Sequence, residues 1–91
     1  MRTPMSSRLR ARVVRDFGAT DRVDEVVGIV EEAGGTERVQ AAMVLYANGD
    51  FDRLVDVERT ARADWRDLLV GTGYAHDDWP DLLDEALGPD Q

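Results

Sequence analysis

The chain has no cysteine, no lysine, a single histidine, three prolines, few aromatic residues and no long apolar run. Without cysteine it can form no disulfide, present no thiolate nucleophile and build no Cys-ligated zinc site. Covalent catalysis has little material, because Ser6 and Ser7 are its only serines, lysine is missing and His76 is the lone imidazole. Neither GxGxxG nor GxxxxGK occurs, so no phosphate cradle is evident. No stretch approaches the roughly 18 apolar residues of a membrane span, and the N-terminus lacks the apolar core of a signal peptide. These absences together predict a cytoplasmic chain that is not an enzyme and holds no cofactor or metal.

What is present predicts one globular domain. Ninety-one residues, 43% hydrophobic and 33% charged, suffice for a single core. All 11 basic residues are arginine, a bias expected of a GC-rich genome, and the net charge is -8. The charge is unevenly spread: residues 1–16 hold five arginines and Asp16 for +4, while the remainder holds six arginines and 18 acids for -12. Such a basic arm could reach a polyanion or lie on its own acidic body. The second is favoured, since that body would repel nucleic acid.

Apolar spacing divides the chain into helices. Residues 1–7 read as a flexible lead-in, with Ser6 or Ser7 capping a helix that begins near Arg8 and carries Leu9, Val13 and Phe17 on one stripe up to Gly18. Thr20 or Asp21 can cap the next element, where Val23, Val26, Val27 and Val30 recur at helical spacing. Its β-branched VVGIV run and internal Gly28 keep a short strand open as the alternative. After Gly34 and Gly35, Thr36 looks like another cap, followed by Val39, Ala42, Met43 and Tyr46 on one face. The Asn48-Gly49 turn follows, and Asp50 then caps a helix with Phe51, Leu54, Val55 and Ala61 inward.

The final third holds an internal repeat at a spacing of 14 residues: Asp64-Trp65-Arg66-Asp67-Leu68-Leu69 is matched by Asp78-Trp79-Pro80-Asp81-Leu82-Leu83. In each copy the first aspartate can cap a helix, the second sits where the helix dipole favours negative charge, and Trp with the leucine pair spaces as a core stripe. Both tryptophans are therefore expected to be largely buried. The expected fold is all-α, five or six short helices around one core. Residues 8–88 form the domain and 89–91 a tail.

Constellations with chemical meaning are sparse. His76-Asp77-Asp78 brings imidazole and carboxylates together, but adjacent side chains diverge and no second histidine exists. The helices around Asn48-Gly49-Asp50 suggest a helix-turn-helix, yet the second one sets Asp52, Asp56 and Glu58 where phosphates would lie. Asp77, Asp78, Asp81, Asp84 and Glu85 form an acidic surface suited to a basic partner, with Tyr74 as the freest aromatic anchor. In the alternative reading, a nucleic-acid-associated regulator, the contacts are Arg8, Arg10, Arg12 and Arg15. A small enzyme ranks third.

From about Glu37 onward, the segments ERVQAAMVLYANGDFDRL and ADWRDLLVGTGYAHDDWPDLLDEALG resemble short uncharacterised helical proteins of GC-rich actinobacteria. The shared features are ERVQ, GD, DWRDLLV and DWP. The resemblance implies helices and a cytoplasmic location, and it transfers no site. The expected function is protein binding without catalysis, as a small adaptor or regulatory partner of another protein.

Overall fold

Hydrophobic spacing becomes helix wherever the sequence places it. The computed structural model describes residues 3–18, 22–73, 75 and 77–88, and among them the chain forms six helices. These are α1 (Ser7–Phe17), α2 (Val23–Ala33), α3 (Glu37–Ala47), α4 (Phe51–Ala63), α5 (Trp65–Thr72) and α6 (Trp79–Leu87). Residues 23–30 are helical throughout, so the strand alternative falls: four-residue spacing of valines over three turns outweighs β-branching once that face is buried.

α3 is the hub, touching each of the other five helices. Val39, Gln40, Ala41, Ala42, Met43, Val44 and Ala47 are all buried, which requires a helix apolar on nearly every side. The alanines keep its surface thin, so neighbouring helices approach on several sides. Against it pack Leu9, Val13 and Phe17 of α1, Val26 and Val30 of α2, Leu54 of α4, Leu68 and Leu69 of α5 and Leu83 of α6.

Several inward assignments shift. Tyr46 is 43% exposed, because it stands at the C-terminal end of α3 where its ring is covered by the Arg53 guanidinium at 4.6 Å. On α4, Val57 is buried with Leu54, three residues on, while Phe51, Val55 and Ala61 are only half-buried. Thr36 precedes α3 in extended conformation but makes no side-chain capping bond, whereas the caps at Ser6, Asp50 and Asp64 form as expected. Thr20 and Asp21 lie outside the described residues, as does the tail at 89–91.

The described part of the lead-in is hydrogen-bonded to α2 and α3. The Thr3 amide donates to the Glu31 carbonyl at 2.9 Å and the Met5 amide to Glu31 Oε2 at 2.8 Å. Gln40 Nε2 donates to the Thr3 carbonyl at 2.8 Å. Met5 joins the core, and these bonds satisfy the two buried polar side chains among the described residues, Glu31 and Gln40.

Candidate functional site

The basic arm lies on the chain's own acids. Arg8, with 9% of its side chain exposed, donates from Nη2 to Glu37 Oε1 and from Nη1 to Asp84 Oδ1, both at 2.6 Å, and from Nη1 to the Gly88 carbonyl at 3.0 Å. The guanidinium fork thereby joins α1, α3 and the end of α6, a planar geometry that an ammonium could not reproduce. Ser6 Oγ also donates to Glu37 Oε2. The Arg8 hydrogen bonds hold the Glu37 carboxyl below its ordinary value against the opposing effect of burial, with the Ser6 hydroxyl adding to the depression.

Arg12 donates to Asp16 Oδ2 at 2.9 Å and to the Ala86 carbonyl at 3.1 Å. Arg10 stands 4.0 Å from buried Glu31 with about half its side chain exposed, and Arg15 faces solvent. Of the four arginines in the nucleic-acid reading, Arg8 and Arg12 are hydrogen-bonded within the chain and Arg10 is ion-paired with Glu31.

The acidic surface is split in the same way. Asp84 belongs to the Arg8 clasp, whereas Asp77, Asp78, Asp81 and Glu85 are exposed around α6. Tyr74 and His76 lie outside the described residues. Asp78 occupies the N-cap position of α6 but makes no capping bond. Among the described residues, no group of three or more acidic or imidazole side chains is placed to hold a metal.

The two tryptophans part company. Trp79 is half-buried under the Arg38 guanidinium, 5.1 Å from its ring, but Trp65 is 48% exposed, contrary to the expectation of burial. The cause is its place in the fold. α4 ends and α5 begins at one extended residue, Asp64, whose amide donates to the Thr60 carbonyl at 2.8 Å and whose carboxylate accepts from the Arg66 amide at 3.0 Å. Trp65 is the first helical residue after that corner. A side chain there leans back toward the helix start, over the corner, while Leu68 and Leu69 a turn later reach the α3–α4 surface.

Trp65 is consequently a ridge between two hollows. One, of about 190 Å³, is lined by Ala33, Gly34, Gly35, Thr36, Val39, Ala61 and Trp65 itself. The other, of about 180 Å³, is lined by Arg38, Trp65, Arg66, Leu69, Val70 and Ala75. Val70 is 70% exposed. Among the described residues no carboxylate lines either hollow, and Arg66 lies 5.4 Å from the Trp65 ring.

On the far side of α5, a hollow of about 310 Å³ is lined by Tyr46, Asp56, Val57, Thr60, Asp67, Leu68, Gly71 and Thr72. Its hydroxyls are turned to backbone: Thr60 donates to the Asp56 carbonyl, and Thr72 to those of Leu68 and Leu69.

Sequence reasoning missed Val70, although the signal was there. Three consecutive apolar residues, Leu68, Leu69 and Val70, fan across roughly 200° of a helix. α5 is covered on one side only, so one of the three had to face out.

No family model matches the chain, and no curated protein or solved structure does either. Among the described residues, no helix is long and apolar enough to cross a membrane.

Proposed function

We propose that the chain is a non-catalytic protein-binding module of the cytoplasm whose contact face is the Trp65 ridge. The observation that carries this reading is an indole 48% exposed beside Val70 at 70%, flanked by two hollows and two arginines. Trp and Arg are the side chains that dominate binding energy at interfaces, and contiguous exposed apolar groups are costly to keep without a partner. Asp77, Asp78 and Asp81 are exposed around the start of α6 and offer a basic partner a charged surface, and such charge serves orientation and association rate more than affinity.

A photo-crosslinking side chain introduced at Val70, and at the exposed α4 residue Asp52 as a control, tests the reading in living cells. The expected result is a discrete adduct from position 70 and none from position 52. Equal or absent labelling at the two positions would remove the Trp65 face as a contact surface.

A further inference from the structure

α6 is held to the molecule by few apolar side chains and several charges. Of its nine residues Leu83 alone is buried, while Trp79 and Leu87 are half-buried. A helix of that length has little stability of its own in water and takes its order from what it packs against, here mainly α1 and α3. Its last turn adds to the difficulty. Asp84 and Glu85 stand there with no basic residue of α6 beside them, at the end where the helix dipole disfavours negative charge.

α1 supplies what α6 lacks. Arg8 Nη1 donates to Asp84 Oδ1 at 2.6 Å and to the Gly88 carbonyl at 3.0 Å, and Arg12 Nη1 donates to the Ala86 carbonyl at 3.1 Å. Two cations from another helix thus neutralise an acid of the last turn and satisfy carbonyls that the amides of α6 cannot reach. The rest of the Arg8 fork is anchored elsewhere, with Nε and Nη2 on the two Glu37 oxygens at 3.0 and 2.6 Å. The Glu37 side chain is 27% exposed and that of Asp84 60%, so water competes far more strongly for the Asp84 bond. The clasp therefore has a lasting half on α3 and a releasable half on α6.

We propose that α6 is a strap that undocks and unwinds as one unit while α1 to α5 stay folded, and that Arg8, kept in place on Glu37, is the catch that recloses it. Release brings Leu83, Trp79 and Leu87 into water together with the strip of α1 and α3 that they cover. Neither Trp65 nor Val70 takes part, so the strap is independent of the binding reading above.

Amide hydrogen exchange of the full chain, followed residue by residue, tests this. Residues 82–88 should share one protection value, at least about tenfold below that of the buried part of α3, because a unit that opens together exchanges together. Asp84→Asn is the decisive variant. By the helix dipole alone, loss of that charge from the last turn would raise the protection of α6. For a strap held by Arg8 it should instead lower protection across residues 82–88 by about two- to fivefold, the range of a partly exposed ion pair, and leave α3 and α4 unchanged. Glu85→Gln removes an exposed acid of the same turn that lies outside the clasp, and it should not lower protection.

Protection that falls off gradually toward residue 88 would mean fraying from the end, and protection equal to that of α3 would mean that α6 opens only when the whole chain unfolds. No fall in Asp84→Asn, or an equal fall in Glu85→Gln, would leave Arg8 no part in closure. Each of these outcomes overturns the proposal.

Discussion

Pro80 and Arg66 occupy the same place in the two DW repeats, two residues after the aspartate, and that one difference explains why the repeats cap differently. Asp64 accepts from the Arg66 amide, but at the equivalent position Pro80 has no N–H to give, and Asp78 makes no capping bond. Proline supplies a preset φ at the helix start instead. Gly49 shows the opposite dependence, on space. Its φ is +85°, and a Cβ there would meet the Asp16 carbonyl oxygen at 2.9 Å, so the α3–α4 turn can press against the end of α1 only without a side chain. Gly49→Ala should therefore destabilise the fold by about 2 kcal/mol or more, visible in thermal unfolding as a drop of roughly 8–16 °C in Tm. An unchanged Tm would mean that the turn relaxes away from α1.

At the scale of elements, the apolar stripes of α1 and α2 were legible residue by residue, although for α2 the strand alternative stayed open until the fold decided it. Leu9, Val13 and Phe17 are all fully buried, and so are Val26 and Val30, because each stripe faces a single neighbouring surface along its whole length. Gly28 lowers the helix propensity of α2. Nothing lies within 4 Å of a Cβ built at this position, and its backbone is ordinary helix. Gly28→Ala should then stabilise the chain by about 1 kcal/mol, measured as a higher urea midpoint at unchanged slope. α5 was legible in existence, cap and leucine pair, yet not in which way its tryptophan points. Periodicity says which residues share a face; it does not say how far the neighbouring helix extends beneath that face. The α4–α5 corner falls at Asp64, so Trp65 starts its helix beside the corner while Leu68 and Leu69, a turn further on, are buried.

Across the whole molecule, the Arg8 clasp joins the first helix, the central helix and the C-terminal end. Sequence reasoning favoured an arm lying on its own acidic body, and the arm does so through Glu37 and Asp84. The clasp makes stability depend on acid pH. Arg8 holds the Glu37 carboxyl below its ordinary value of 4.5, so the stabilisation is complete above that value and disappears as pH falls through the lower folded value. Glu37→Gln should lower stability at neutral pH by about 1.5–3 kcal/mol, the range for hydrogen bonds to a charged partner. It should also flatten the decline below pH 4.5 when denaturant midpoints are followed as pH is lowered. A variant declining as steeply as the parent would place the acid sensitivity in other carboxylates.

The sequence by itself determined an all-α chain, its helix starts at Ser6, Asp50 and Asp64, and the valine, leucine and phenylalanine stripes that make the core. Those features depend on spacing within one turn or a few turns, and local order fixes them. Only the tertiary structure decided that Trp65 and Val70 are exposed, that Arg8 joins Glu37 and Asp84 across 29 and 76 residues of chain, and that the Arg38 guanidinium lies over Trp79. Each of these depends on where one helix ends relative to another, and that is set by corners and close contacts between distant segments.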